Sequence, residues 1–198
     1  MRYAALFALL IGFGLLGGCN QPSSGPTFQS TDITGAELGR SFELVDHDGQ
    51  ERSLEDFKGK VLVVFFGFTH CPDVCPTTLA ELAQARSRLG AQAERVQVAM
   101  ITVDPERDTP EVLKQYVTAL DASFIGLTGS PDDIARTAKE FKVFYQKSEG
   151  AVPGNYSVDH SSGTFVFDPQ GRIRLLVPYG SGSDVFVHDI GQLLEAPA

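Results

Sequence analysis

Two strongly apolar runs, VLVVFFGF at 61–68 and VQVAMITV at 96–103, constrain the fold of this chain more than any other feature. A strand buried on both faces reads as a near-continuous apolar run, and such burial occurs where helices cover both sides of a partly parallel sheet. A helical pattern follows each run. PTTLAELAQARSRLG carries Leu79, Leu82, Ala83 and Leu89 at helical spacing, with Pro76 suited to the first turn and Gly90 to the stop. Thr109-Pro110-Glu111 supplies an N-cap and a first-turn proline to PEVLKQYVTAL. Phe124 to Leu127 reads as a short strand. Ser130-Pro131-Asp132-Asp133 starts another helix, reaching about Val143, with its acids at the positive end of the helix dipole.

Upstream, Phe42, Leu44 and Leu54 flank the turn DHDG and predict a β-hairpin. Downstream, an irregular stretch leads to a second hairpin, GTFVFDPQGRIRLLVPY, and a last helix from about Asp184 to Leu194. The order β, β, α, β, α, β, α, β, β, α predicts an α/β domain with an N-terminal β-hairpin and a central mixed sheet flanked by helices. That order resembles the thioredoxin-like arrangement. Ligands in open α/β sheets gather at the C-terminal ends of strands, which is where THCPDVCPTT, residues 69–78, falls.

Cys71 and Cys75 stand in that segment. Cys75, directly before Pro76, has the helix-start position at which the dipole and free backbone N–H groups lower a thiol's pKa. The pair suits a disulfide or a soft ion. A bridge closing so short a loop adds little stability, because the entropic gain grows with loop length; this disfavours a purely structural staple. Two thiolates alone hold a soft ion such as Cu(I) or Hg(II) poorly in a stable resting site, and an imidazole is the natural third ligand. Among the four histidines, His47 lies in the DHDG turn and reads as solvated, and His188 reads as a surface or packing residue of the last helix. His70 adjoins Cys71 but points away from it in an extended segment, which leaves it an alternative or transient ligand. His160, in NYSVDHSSGTFVFD, precedes a strand beginning at Gly163 or Thr164 and in a thioredoxin-like fold passes beside the cysteine loop. Asp159 is placed to orient its ring.

The N-terminus is a different kind of sequence. MRYAALFALLIGFGLLGG has one basic residue, Arg2, and then sixteen residues without a charge, fewer than the roughly 20 a membrane-spanning helix uses. It fits an export signal. Leu16-Gly17-Gly18-Cys19 resembles the lipobox of bacterial lipoproteins, which implies cleavage after residue 18 and a lipid on Cys19. Residues 19–31, rich in Pro, Ser and polar residues, then form a flexible tether to a domain over 32–198. A lipid on Cys19 leaves Cys71 and Cys75 as the only pair in an oxidising compartment. The net charge of −9 argues against nucleic-acid binding.

GFTHCPDVCPTTLAEL, TVDPERDTP and YSVDHSSGTFVFD, in this order and spacing, resemble the Sco/SenC family of copper-binding assembly proteins over roughly residues 38–195. The resemblance implies a thioredoxin-like fold and one copper ion, Cu(I) or Cu(II), held by Cys71, Cys75 and His160. It implies service to the CuA site of cytochrome c oxidase subunit II, with another periplasmic copper carrier as a further partner. The lipobox-like N-terminus places the protein on the extracytoplasmic side of a bacterial membrane, anchored through Cys19, and the family resemblance makes it an assembly factor more than a turnover enzyme. Asp104, in TVDPERDTP, receives a turn or capping role. One alternative uses the same cysteines: a thiol–disulfide reductase that keeps the CuA cysteines reduced, although thioredoxins use C-x-x-C. Another is a peroxidase, since DVCPTTLAEL resembles the segment around the peroxidatic cysteine of peroxiredoxins. Cys71 disturbs the Thr-to-Cys spacing those enzymes require.

Overall fold

The two apolar runs become β4 (Val61–Gly67) and β5 (Val96–Thr102), parallel neighbours at the centre of a mixed sheet. The computed structural model describes residues 25–150 and 155–196. On one side of this pair lie β6 (Ile125–Thr128), β2 (Glu43–Asp46) and β3 (Glu51–Ser53); on the other lie β9 (Thr164–Phe167), β10 (Ile173–Val177) and β1 (Thr31–Asp32). β6 runs parallel to β5, whereas β9 is antiparallel to β4. The predicted N-terminal hairpin is β2–β3, and the second predicted hairpin is β9–β10.

Every residue of β4 is buried, and alternate side chains serve two cores. Leu62, Val64 and Phe66 pack with Phe42, Phe141, Phe165 and Phe167 under α3 (Pro131–Glu140). Val61, Val63 and Phe65 pack against α1 (Val74–Leu89), α2 (Pro110–Thr118) and α4 (Ser183–Glu195) through Leu79, Leu82, Leu113, Phe186 and Ile190. The two proline-started helices begin where their caps predict: the Thr109 hydroxyl accepts from the Val112 N–H, and Ser130 with Asp133 forms a capping box.

Two stretches differ from expectation. The irregular stretch before β9 contains a separate two-stranded sheet, β7 (Tyr145–Glu149) and β8 (Tyr156–His160), with Tyr145 opposite His160. Its sequences YQKSE and YSVDH bury few side chains, so they carry little of the apolar alternation by which a strand is read. The segment read as tether is docked at its end. The N–H groups of Gln29 and Ser30 donate to the Asp189 carboxylate on α4 at 2.8 and 2.9 Å, and Thr31 pairs with Leu176. Residues 1–18 and Cys19 lie outside the described residues. Among the described residues, no helix is long and apolar enough to cross a membrane.

Candidate metal centre

β4 ends at Gly67, and the chain turns through Phe68, Thr69, His70 and Cys71 into α1. A methyl group on Gly67 would lie 2.8 Å from Cys75 Sγ and 2.9 Å from the Phe65 ring, so only glycine lets the helix bring its sulfur this close to the strand. Cys75 is fully buried, and Cys71 is half-buried at the mouth of the loop. Both are free thiols. The sequence assigns the helix-start advantage to Cys75, and the structure corrects this. The N–H of Cys75, in the first turn of α1, donates to Cys71 Sγ at 3.4 Å. Burial drives the Cys75 thiol well above its ordinary pKa, against a smaller opposing effect from the Phe68 backbone N–H. Desolvation of a thiolate outweighs the dipole here because Cys75 faces the apolar core.

His160 ends β8. Its Nδ1 lies 2.9 Å from the Ser161 carbonyl, which can only accept, so Nδ1 donates there and the neutral ring turns its Nε2 lone pair toward the cysteines. Nε2 lies 3.7 Å from Cys75 Sγ, and the Phe68 ring meets the imidazole edge-to-face at 5.9 Å. One donor atom from each of Cys71, Cys75 and His160 lies within 4.8 Å of the other two.

The other candidates fall elsewhere. Asp159 does not orient His160: adjacent strand residues face opposite ways, and its carboxylate accepts instead from the Ser148 hydroxyl at 2.6 Å. His70 is exposed, its Nδ1 paired with the Thr69 hydroxyl at 3.1 Å. His47, expected to be solvated, is tucked against β6. Its Nδ1 accepts from the Gly126 N–H at 3.1 Å, and its own N–H donates back to the Gly126 carbonyl at 3.0 Å. His188 packs against Asp189 at 2.8 Å.

Sequence reading missed the residues behind the site. Asp104, read as a turn residue, and Asp108 are both fully buried. Asp108 accepts from the hydroxyls of Thr69 and Thr102, both at 2.6 Å, and from the Thr69 N–H at 3.1 Å. Asp104 accepts from the Tyr156 hydroxyl at 2.7 Å and from Arg107 Nε. The available signal was four charged residues in TVDPERDTP directly after a buried strand, at the sheet end where sites form.

Two sulfurs and one unprotonated imidazole nitrogen make a soft donor set. Metal–sulfur and metal–nitrogen bonds of about 2.0–2.3 Å place the donors of a three-coordinate ion roughly 3.5–4 Å apart. The cluster's spacing is close to that, so small side-chain shifts bring all three onto one ion. Such a set favours Cu(I) over harder ions.

Residues 30–195 match the SCO1/SenC family. A SCO2-like protein of Rickettsia felis is 37% identical over 178 residues, 87% of this chain and 86% of its own. Apo Sco1 of Thermus thermophilus matches with a TM-score of 0.76 at 43% identity, covering 86% of this chain and 99% of that one. Bradyrhizobium japonicum ScoI with copper bound matches with a TM-score of 0.73 at 34% identity, over 80% of this chain and 99% of that one. BsSco, a member of the Sco family of cytochrome c oxidase assembly proteins, matches with a TM-score of 0.65 at 25% identity, over 85% and 100%. The architecture is the thioredoxin-like one of these neighbours. With the sequence match and the architecture in agreement, the chain belongs to the SCO1/SenC family.

Proposed function

We propose that this protein binds one copper ion through Cys71, Cys75 and His160 and delivers it to the CuA site of cytochrome c oxidase subunit II. It works from a lipid anchor at Cys19 on the extracytoplasmic face of a bacterial membrane, and a second periplasmic copper carrier supplies the metal. The observation that carries the binding is the convergence of two sulfurs and a free imidazole nitrogen within 4.8 Å. The oxidase and the anchor rest on the family likeness and on the LGGC stretch.

The residues have distinct parts. Cys75, locked in the core, is the fixed ligand; half-buried Cys71 is the one an incoming ligand reaches first. His160, held through Nδ1, presents Nε2. A three-ligand site with one accessible sulfur permits transfer by ligand exchange, which a closed four-ligand cage resists. Copper supplies the cargo and no chemistry beyond it.

The test is a copper titration of the reduced protein under anaerobic conditions, with Cys71→Ser, Cys75→Ser and His160→Ala beside it. One tight equivalent is expected, lost in both cysteine variants. The histidine variant should keep most Cu(I) affinity and lose stable Cu(II). Cu(II) held equally well without His160 would sink the three-ligand model.

The free dithiol supports a second reading, reduction of the CuA cysteines. The Cys71 thiolate attacks a partner disulfide and expels one thiolate; Cys75 then attacks Cys71 in the mixed disulfide and releases the second. The partner gains two electrons and two protons, and the Cys71–Cys75 pair loses them as a disulfide. Rapid reduction of a model disulfide peptide by the reduced protein, alongside weak copper binding, would favour this reading.

A further inference from the structure

We propose that the loop between β5 and α2 is a cross-brace that fixes His160 against the cysteine pair, and that Arg107 within it is a positioning residue for the imidazole. The inference rests on the copper reading given above.

The β7–β8 sheet that carries His160 is separate from the main sheet. Two strands alone are marginal in water, so this sheet takes its position from what grips it. Val158 packs into the main core, and the polar grip is concentrated on Tyr156. Its hydroxyl donates to Asp104 at 2.7 Å, and its carbonyl accepts from Arg107 Nη1 at 3.0 Å. The Arg107 guanidinium lies 3.6 Å from the centre of its ring. Lys147, from β7, lies 4.9 Å from the same ring and pairs with Glu106 at 2.7 Å. Tyr156, Val158 and His160 share one face of β8, so fixing Tyr156 fixes the direction of the imidazole. The Arg107 guanidinium also lies 5.9 Å from the ring of Phe68, and that ring is the one packed on His160.

The same loop holds the other half of the site. Asp108, one residue beyond Arg107, binds the N–H and hydroxyl of Thr69, two residues before Cys71. A single short segment therefore grips both the cysteine loop and the histidine hairpin. Burying the Asp104–Arg107 pair is a poor route to stability, because desolvation offsets most of the attraction. Arg107 Nη2 is buried without a hydrogen-bond partner, a further cost that packing alone does not explain. Geometry is what the arrangement supplies: directional bonds set the separation of sulfur and imidazole, which apolar packing would leave loose.

The test uses the full protein as wild type, Arg107→Lys and Tyr156→Phe. Amide hydrogen exchange is followed first without metal, and Cu(I) and Cu(II) affinities and Cu(II) spectra are recorded afterwards. Lysine keeps the charge but not the planar fork, and phenylalanine keeps the ring but not the hydroxyl. Both variants should speed exchange in residues 145–149 and 156–160 about tenfold, with α1 and β5 unchanged. Cu(II) should bind about ten- to a hundredfold more weakly with an altered spectrum, while Cu(I) affinity changes little. Unchanged hairpin exchange and an unchanged Cu(II) spectrum in both variants would overturn the brace. So would a uniform rise in exchange across the whole domain, which would make Arg107 an ordinary structural residue. If wild type took up no copper, the proposed function alone would fall, since hairpin exchange is read without metal.

Discussion

Two cysteines four residues apart have opposite surroundings. Cys75 has no exposed surface, and its burial pushes the thiol up; Cys71 is half-buried and receives the Cys75 N–H. Only the thiolate reacts, and a raised pKa leaves Cys75 almost wholly protonated at neutral pH, its thiolate fraction growing only as pH rises. Alkylation of the reduced, metal-free protein at pH about 8 should therefore label Cys71 first, with Cys75 at least about tenfold slower. Peptide mapping of partly labelled protein reads the order; equal labelling would contradict the burial. The same burial explains why a peroxidase is a poor fit at this position, since a peroxidatic thiol must be an accessible thiolate.

At the scale of elements, the junction of β4 and α1 governs where Cys75 sits. Gly67 pairs with Thr102 in β5, and its carbonyl accepts from the Val103 N–H at 2.9 Å, so the strand cannot retreat. Gly67→Ala would press a methyl group against Cys75 Sγ and the Phe65 ring. Overpacking of this kind costs about 1–3 kcal/mol, and here part of the relief must come from moving the sulfur. Denaturant unfolding should show that loss, and copper should bind more weakly than in wild type. A variant of wild-type stability and copper affinity would show that α1 shifts freely. The β7–β8 hairpin is the contrasting element: its own residues barely predict it, and it is held by Val158 in the main core and by Tyr156 against the loop beyond β5.

The whole molecule joins its N-terminal segment to its last helix through one carboxylate. Asp189 is buried, which by itself would raise its pKa; the N–H groups of Gln29 and Ser30, the Ser30 hydroxyl and His188 outweigh this and hold it below the usual carboxylate range. Its folded pKa is thus below the unfolded value of about 3.9. The stabilisation is present above that value and is lost as pH falls through the lower, folded one. Amide protection at residues 29–32, taken relative to the intrinsic exchange rate at each pH, should hold at neutral pH and fall steeply in acid below about pH 4, before the central strands open. Asp189→Ala should show the fast exchange already at neutral pH, at a cost of about 2 kcal/mol for the lost charge-assisted bonds. Protection that survives in either case would place the docking elsewhere, with Phe28 under the Arg174 guanidinium the next contact to test.

The sequence by itself determined the α/β class, the two buried central strands, the helix starts at Pro110 and Pro131 and the Cys71–Cys75 spacing, while His160 entered as third ligand through the family resemblance. The strands, helix starts and cysteine spacing follow from apolar periodicity, caps and short-range order, which are local properties of the chain; nothing local places His160, 85 residues from Cys75, beside the sulfurs. Tertiary structure decided the rest. Asp159 turned out to face away because strand register, invisible in the sequence, sets which of two neighbours points inward. His47 looked like a turn residue and is held by β6, a partner 79 positions away. Cys75 lost the helix-start advantage because desolvation depends on what packs around an atom, and Asp104, Arg107 and Asp108 gained Tyr156 and Thr69 as partners only when distant segments closed on one loop.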